Sequence, residues 1–266
     1  MDTREFQELI WEQGRELYRS MPWRDDMRPY YVMVSEIMLQ QTQVGRVIPK
    51  FEAFIAQFPS IESLAEASLA DVLTAWSGLG YNRRAKFLHQ AAQKVVQEYG
   101  GEMPATLEGL MSLPGVGINT AGAIMAYSYN QPVVFIETNI RTVYFHHFFA
   151  DEVAVTDKAL REVVEETIDS EHPREWYWAM MDYGSFLKQQ GQGRLDQSRH
   201  YKKQAPLKGS LREVRGQIIA QLAKQPLREV ELRTVLSADD RFETALSALI
   251  DERLVSRDGD ELQLAR

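Results

Sequence analysis

The sequence predicts a mostly α-helical fold, and two observations support this. Apolar residues recur at helical spacing through most of the first 187 residues, with no alternating apolar and polar strand before about residue 200. The segment after residue 206 has the pattern of three short helices followed by two strands around an Asp-Gly turn, an order typical of a winged helix. We therefore predict a helical domain over 1–187, a basic loop or linker over 188–206 and a winged-helix-like domain over 207–266.

Hydrophobic spacing and turn residues define the individual elements. In the first domain we predict helices over 2–19, 31–43, 47–57, 61–66, 69–77, 83–99, 107–111, from Ile118 onward, 143–149, 158–168 and 175–187. In the last segment we predict helices over 211–222, from Pro226-Leu227 onward and over 242–253, then two strands within 254–264.

Composition limits the class of protein. Of the 266 residues, 44% are hydrophobic, which suffices for one large and one small domain. No apolar run could cross a bilayer and the N-terminus has no signal-peptide core, so we expect a soluble, cytoplasmic protein without a membrane partner. The chain has no cysteine, which excludes disulfides, thiolate zinc sites and cysteine-ligated iron–sulfur clusters. The net charge of −8 argues against a nucleic-acid partner unless positive charge is concentrated locally.

The stretch Met111–Met125 combines a tight turn with a helix of small residues. Pro114 fixes one φ angle, and we expect Gly115 and Gly117 to adopt backbone conformations that other residues avoid. The helix that begins near Ile118 leaves its first N–H groups without partners in the helix, and such an N-terminus attracts an anion such as phosphate. The alternative interpretation is an ordinary turn between two helices without a ligand.

Two glutamates stand in unusual settings. Glu36 lies in an otherwise apolar helix, where desolvation raises the pKa of a carboxyl and lets it act as an acid. The alternative is a buried ion pair between Glu36 and an arginine. Glu137 follows the apolar run 132–136. The alternative is a structural role at the start of a helix. The acidic group would then complement the dipole at the helix N-terminus, and Thr138 would cap that helix.

Eight short motifs occur in order along the chain. They are 22–24, 29–30, 35–44, 78–81, 84–86, 113–117, 120–122 and 179–182. Together they resemble the helix-hairpin-helix (HhH-GPD) DNA glycosylases, most closely the adenine glycosylases of the MutY type, and the run 38–44 is the most specific of them. The resemblance covers about residues 5–187. It implies a two-lobed helix-hairpin-helix glycosylase fold, a monomer, and a double-stranded DNA partner whose mispaired or damaged base is flipped out of the helix.

The chemistry of this family needs a proton for the leaving base and negative charge beside an oxocarbenium-like sugar. The resemblance assigns the acid to Glu36. It assigns the charge to Glu137, where the family has an aspartate. Bifunctional relatives carry a lysine at the position of Asn119, and asparagine cannot form a Schiff base. We therefore predict a monofunctional glycosylase without efficient AP lyase activity.

The same resemblance implies DNA contacts by the carboxamides of the glutamine run. Gln40 and Gln41, followed by Thr42, match residues that fill the gap left by the flipped base and probe its partner. Asn82 stands where MutY-type enzymes have a tyrosine that wedges beside oxidised guanine.

The hairpin is expected to hold the DNA backbone. We assign this contact to Gly115, Gly117, Asn119 and Thr120. By resemblance, the backbone carbonyls of Met111, Leu113 and Val116 would hold a Na⁺ or K⁺ ion. We expect no other cofactor.

Two regions depart from the family. A polar segment, 189–203, replaces the four-cysteine iron–sulfur loop, and we expect it to contact phosphate through Arg194, Arg199, Lys202 and Lys203. The segment 207–266 is shorter than the 8-oxoguanine domain of MutY-type enzymes and does not resemble it. Its predicted recognition helix is acidic, so protein contact or domain packing is at least as consistent with it as base reading.

The sequence thus predicts a base-excision-repair glycosylase that removes adenine opposite guanine or 8-oxoguanine. One alternative is a thymine or uracil glycosylase acting on G mispairs, because some mismatch thymine glycosylases share the position of Glu36 and an asparagine like Asn82. The other is a catalytically weak DNA-binding protein. The acidic charge favours that last alternative, and Glu36 argues against it.

Overall fold

The computed structural model describes residues 1–152, 154–193 and 206–265. The helices of these residues are α1 (Thr3–Glu16), α2 (Pro22–Asp25), α3 (Pro29–Leu39), α4 (Val44–Gln57), α5 (Ile61–Glu66), α6 (Leu69–Trp76), α7 (Arg83–Tyr99), α8 (Leu107–Met111), α9 (Ile118–Tyr127), α10 (Thr138–His147), α11 (Asp157–Thr167), α12 (Pro173–Gln189), α13 (Leu211–Leu222), α14 (Glu229–Leu236) and α15 (Arg241–Asp251). The strands are β1 (Leu227–Arg228), β2 (Val255–Asp258) and β3 (Glu261–Leu264). None of the described helices has the length and apolar character needed to cross a membrane.

The helices lie close to where hydrophobic spacing predicts them, with four differences. Helix α2 lies where no helix was predicted. Helix α3 ends at Leu39 rather than reaching residue 43, so the glutamines that follow lie in a turn. Helix α10 begins at Thr138, five residues earlier than predicted. The helix predicted from Pro226-Leu227 is wrong at its start, because Leu227–Arg228 pairs with β3 as a short strand and α14 begins only at Glu229.

The described chain divides into two compact units. The first unit comprises Met1–Met33, Ala105–Met111 and the described residues from Val116 to 193. The second unit comprises Val34–Pro104, Ser112–Gly115 and residues 206–265. These units differ from the domains expected from the sequence, because residues 206–265 belong to the same unit as the helices within 34–104. The division into domains 1–187 and 207–266 therefore stays a prediction.

An aromatic core holds the first unit together. Phe6 of α1 is fully buried, and its ring centroid lies 5.3 Å from that of Tyr144 and 6.0 Å from that of Trp176. The Tyr144 hydroxyl lies 2.7 Å from Oγ1 of Thr167, so the polar tip of this buried ring has a partner. Burial of these large side chains, each worth roughly 2–3 kcal/mol, fixes α1, α10, α11 and α12 as one layer around the core.

A buried ion pair crosses the same unit. Asp182 of α12 is 2% exposed and accepts from Nη1 of Arg24 at 2.7 Å and from Nη2 at 3.0 Å. Arg19 also donates to this carboxylate, from Nε to Oδ1 at 2.7 Å and from its backbone N–H to Oδ2 at 3.2 Å. The bidentate geometry satisfies the carboxylate, which a buried charge requires. The segment between α1 and α3 is thereby tied to α12.

The second unit contains helices α4–α7 around a core of aromatic and aliphatic side chains. Phe54 and Trp76 are buried, with ring centroids 6.1 Å apart. Helix α7 packs against both α5 and α6. Leu88 and Val95 are seven residues apart, so they lie on the same face of α7, and both are fully buried. Helix α7 therefore forms the centre of this unit.

The C-terminal residues belong to the same unit. Their three strands form an antiparallel sheet in the order β1-β3-β2, with Leu227 opposite Leu262. Helix α13 packs against α15, and α6 contacts both α13 and β3. The Lys86 ammonium of α7 donates to the backbone carbonyl of Glu252 at 2.5 Å. The helix and strand order agrees with the winged-helix interpretation, and β1 is the element that the sequence did not predict.

Candidate active site

The first carboxylate, Glu36, lies in α3, in the part of the helix that belongs to the second unit. It is half-buried, and the residues on either side, Ser35 and Ile37, are buried. The neighbours of Glu36 along the helix are therefore shielded from water. Its role as proton donor stays a prediction.

The glutamine run forms a sharp turn directly after α3. The backbone N–H of Thr42 donates to the carbonyl of Leu39 at 3.0 Å. Gln41 has a φ of +56°, a left-handed conformation that few residues other than glycine adopt. Such strain persists only where the surroundings enforce it, and it is concentrated at functional sites. Gln40 is half-buried and Gln41 is exposed.

Arg84 of α7 enforces this turn. Its guanidinium donates to the carbonyl oxygens of Ile37 (2.8 Å), Met38 (2.9 Å), Gln40 (2.6 Å), Leu79 (3.2 Å) and Gly80 (3.1 Å), and to Oγ1 of Thr42 (3.2 Å). Several of these are the carbonyls that the C-terminus of a helix leaves without partners. Burial lowers the pKa of Arg84 to about 10, so the side chain is still charged at neutral pH. The sequence marked Arg84 as part of a motif and assigned it no function.

In the loop before α7, the Tyr81 side chain is more exposed to solvent than that of Asn82. Asn82 is 7% exposed, so little of its side chain is open to DNA. Tyr81 has a φ of +49°, its hydroxyl accepts from Nη1 of Arg212, and the Arg212 guanidinium lies 5.0 Å from its ring centroid. An aromatic side chain therefore lies one position before Asn82. The C-terminal helix α13 contributes the arginine.

The two hairpin glycines differ. Gly115 has a φ of +78°, and a Cβ there would lie 2.8 Å from Cβ of Phe87, so both conformation and space require glycine. The expectation for Gly117 is wrong. Its φ of −90° is open to any residue, and nothing lies within 4 Å of an added Cβ. Gly117 instead serves as an exposed N-cap without a side-chain hydrogen bond, which leaves the N–H groups at the start of α9 available to an external acceptor.

The side chains that follow the hairpin turn do not all face outward. The Thr120 side chain is 8% exposed, so its expected DNA contact is limited to the backbone. The Asn119 carboxamide binds the protein itself: Nδ2 donates to the carbonyl of Ile136 at 3.0 Å, and the Ile136 N–H donates to Oδ1 at 3.3 Å. Asn119 thus fixes the residue directly before Glu137.

Glu137 is the N-cap of α10, and its Oε2 accepts from the Thr138 N–H at 3.2 Å. The predicted cap by Thr138 is wrong, because Thr138 is the first residue of the helix. A Cβ on Gly184 would lie 2.2 Å from the Asn139 carbonyl oxygen, so only glycine lets α12 approach the start of α10 this closely. Two neighbouring elements, α9 and α12, therefore locate Glu137 and its helix.

The electrostatic surroundings of Glu137 combine burial with one nearby cation. Burial raises the pKa of the half-buried Glu137 carboxyl, whereas the charge of Lys188 and the Thr138 N–H lower it. Burial in turn lowers the pKa of Lys188, which the charge of Glu137 opposes. A carboxylate in such surroundings is poorly solvated and is suited to stabilising a developing positive charge.

The next features are the expected ion and phosphate sites. Within the described ranges, no group of three or more histidine, aspartate and glutamate side chains could hold a metal ion. The monovalent cation at the carbonyls of Met111, Leu113 and Val116 stays a prediction from the resemblance. Residues Arg194, Arg199, Lys202 and Lys203 lie outside the described residues.

Several curated proteins named adenine DNA glycosylase are similar in sequence. That of Buchnera aphidicola subsp. Baizongia pistaciae is 34% identical over 173 residues, covering 64% of this chain and 48% of the relative. The Mycobacterium tuberculosis protein is 41% identical over 136 residues, covering 51% and 44%. The human protein is 37% identical over 179 residues, covering 63% and 33%. The chain thus spans about half the length, or less, of these relatives.

Solved structures share the fold. A thermostable thymine-DNA glycosylase superposes with a TM-score of 0.64 at 24% identity, covering 69% of this chain and 86% of that one. An endonuclease III in a trapped covalent DNA complex superposes with a TM-score of 0.60 at 16% identity, covering 77% and 91%. The family model described as HhH-GPD superfamily base excision DNA repair protein matches residues 34–168, which include both glutamates, the glutamine turn and the hairpin. The chain belongs to the HhH-GPD superfamily of base excision DNA repair proteins.

Proposed function

We propose that the protein is a monofunctional DNA glycosylase that removes adenine from mispairs with guanine or 8-oxoguanine. The observation that supports this proposal is that Asn119, at the start of α9, pairs with both backbone groups of Ile136, the residue before Glu137. The segment that carries Glu137 is thus held by an asparagine, a residue that cannot act as a Schiff-base nucleophile. The similarity to named adenine glycosylases supports adenine as the base.

In this mechanism Glu36 donates a proton to a ring nitrogen of adenine. Protonation turns the base into a neutral leaving group, and the electrons of the N-glycosidic bond leave with it. The apolar helix around Glu36 supports this role, because a desolvated carboxyl keeps its proton at higher pH.

Glu137 acts on the sugar. Its carboxylate stabilises the oxocarbenium-like sugar as the base leaves and orients the water that attacks the anomeric carbon. The products are free adenine and an abasic site. Burial raises the pKa of Glu137, and the charge of Lys188 opposes this and so favours the ionised form that the role needs.

The DNA contacts follow from two exposed features. The uncapped N-terminus of α9, at Gly117 and Ile118, offers N–H groups and a helix dipole to a backbone phosphate. The turn at Gln41 presents a carboxamide to the gap left by the flipped base. The partner is therefore duplex DNA, and specificity arises from base contacts rather than from the hairpin.

A panel of short duplexes tests the proposal. They carry A·G, A·8-oxoG, A·C, T·G, U·G and hypoxanthine·T, and abasic sites are revealed by alkali. We expect cleavage after alkali for A·G and A·8-oxoG and intact strands without alkali. Product from T·G or U·G alone would replace adenine excision with the pyrimidine alternative. No product from any duplex would contradict an enzymatic role, and nicking before alkali would contradict the monofunctional mechanism.

A further inference from the structure

A pair of cations on α4 takes no part in the proposed chemistry. Arg46 and Lys50 are four residues apart, so their side chains lie on the same face of the helix. Arg46 is exposed and Lys50 is half-buried. Neither forms an ion pair or a hydrogen bond with any other residue in the described part of the chain. Because like charges at this spacing repel each other, the pair is electrostatically unfavourable in the protein alone.

The position of Arg46 within α4 adds to this unfavourable charge. Arg46 is the third residue of α4, and the first turn of the helix contains no acidic residue. The N-cap, Gln43, makes no side-chain hydrogen bond to the helix. The N-terminus of a helix carries a partial positive charge, which an acid or an external anion offsets and an arginine increases. A local rule broken without compensation inside the protein is typical of a functional site.

Lys50 is held beside the loop that precedes α7. A Cβ on Gly78 would lie 3.4 Å from Cε and 3.7 Å from Nζ of Lys50, so the end of the lysine side chain lies against the glycine backbone. Gly78 has a φ of +92°, a conformation that other residues rarely adopt. This packing restricts the lysine side chain, so less entropy is lost when its ammonium group binds an anion.

A groove of about 570 Å³ lies between the start of α4, the loop 77–82 and α13, all within the second unit. Arg46 and Gly78 line it, as do Gly216 and Ala220 of α13. A Cβ on Gly216 would meet nothing within 4 Å, so the small residues of α13 leave this wall open. The groove therefore has room for an extended chain beside Arg46.

The charge of the groove matches a polyanion. Among the described residues that line it, only Glu213 is acidic. Its carboxylate accepts from the Gly209 N–H at 2.8 Å and pairs with Arg241 at 3.4 Å, so its charge is offset within the C-terminal residues. The charge of Arg46 has no such partner. On a chain with a net charge of −8, this is the local concentration of positive charge that a nucleic-acid contact requires.

We propose that Arg46 and Lys50 bind phosphates of the DNA strand opposite the flipped nucleotide. The groove also reaches Gln41, whose carboxamide the proposed function assigns to the gap left by the flipped base. A side chain in that gap faces the partner base, so the phosphates beyond it belong to the partner strand. Phosphate contacts carry no sequence information and contribute affinity and orientation. The inference rests on the proposed function in that it takes duplex DNA as the partner, and it adds a backbone contact outside the hairpin.

Dissociation constants measured at several salt concentrations test this contact. The duplexes carry a tetrahydrofuran abasic analogue opposite guanine or cytosine, and the variants are Arg46→Met, Lys50→Met and the double substitution. Each lost phosphate contact should reduce the slope of the logarithm of the binding constant against the logarithm of the salt concentration by about 0.9, and the double variant should lose about twice that. At about 0.15 M salt, each single variant should bind roughly fivefold more weakly. The ratio of the guanine to the cytosine affinity should stay unchanged, because these contacts read no base.

Lys224→Met is the matched control, because Lys224 is an exposed cation of the same unit and does not line the groove. Its salt slope should equal that of the unmodified protein. The strand is identified with duplexes in which neutral methylphosphonate linkages replace the phosphates around the partner base or around the abasic analogue. Neutral linkages in the partner strand should weaken binding of the unmodified protein and cause little further loss in the double variant.

Unchanged salt slopes in both single variants would overturn the proposal. So would a double variant that loses as much affinity as the unmodified protein when the partner strand is neutralised, or a changed ratio of guanine to cytosine affinity. Thermal unfolding verifies that each variant is folded, and Arg46→Gln and Lys50→Gln repeat the measurement if a methionine variant is not. These duplexes contain no base to excise, so failure of adenine excision would refute the proposed function separately.

Discussion

The Asn119 carboxamide pairs with both backbone groups of Ile136, at 3.0 and 3.3 Å. Asn119 is the second residue of α9 and Ile136 is the last residue before the N-cap of α10. The start of the hairpin helix, which we propose grips the DNA backbone, is thereby linked to the segment that carries Glu137. Asparagine has no amine with which to form a Schiff base, and its carboxamide here makes a positioning contact.

Asn119→Ala should slow adenine excision without weakening DNA binding. The variant leaves the buried Ile136 without its partners and frees the segment before Glu137, so we expect a roughly 10- to 100-fold lower single-turnover rate. We also expect unfolding to become easier by about 1–3 kcal/mol. Single-turnover assays and duplex titrations measure the two effects. Ile118→Ala is the control, because Ile118 is an exposed neighbour whose backbone N–H the substitution keeps, and it should leave the rate unchanged. Equal rates for Asn119→Ala and the unmodified protein would remove the positioning role.

Lys188→Met should move the acid limb of the pH–rate profile to higher pH. The charge of Lys188 lowers the pKa of Glu137, which burial raises. Without it the pKa rises further, and the ionised Glu137 required for catalysis is lost at a higher pH as the solution is acidified. The rate on the neutral plateau should change much less. Lys158→Met, at an exposed position of α11, is the control and should leave the profile unchanged. A shift toward lower pH would contradict the account.

Arg24→Ala should destabilise the first unit strongly. The substitution leaves the buried Asp182 carboxylate with Arg19 alone, and breaking a buried ion pair in this way costs about 3–5 kcal/mol. Denaturant unfolding at pH 7 measures this loss. Arg4→Ala, which breaks the exposed pair with Glu8, is the matched control and should cost less than about 1 kcal/mol. A similar small loss for Arg24→Ala would mean that the buried pair contributes little.

Hydrophobic spacing predicted the helices well because their buried faces follow from local sequence, as for α5, α7 and α8. The ends were less predictable where a distant residue sets them. Helix α3 stops at Leu39 because Arg84 binds its last carbonyls, and nothing near Leu39 in the sequence signals this. Strand β1 has only two residues and exists through pairing with β3.

The candidate site was predictable as a set of residue types but not as a set of contacts. The resemblance identified Glu36, Glu137 and Asn119, whereas the pairing of Asn119 with Ile136 depends on how α9 packs. The two hairpin glycines are equivalent in sequence, and only the position of Phe87 distinguishes the need for Gly115. Arg212 could not be recognised at all, because its proximity to Tyr81 requires the C-terminal residues to join the second unit.

The account depends most directly on Glu36 as the acid that releases adenine. The decisive measurement is the single-turnover rate of adenine excision from an A·G duplex by the unmodified protein and by Glu36→Gln, with duplex affinity measured alongside. Glutamine keeps the size of the side chain and cannot donate the proton, so we expect a loss of at least about 10²-fold in rate with little change in affinity. A Glu36→Gln variant that excises adenine at the unmodified rate would contradict the proposed mechanism.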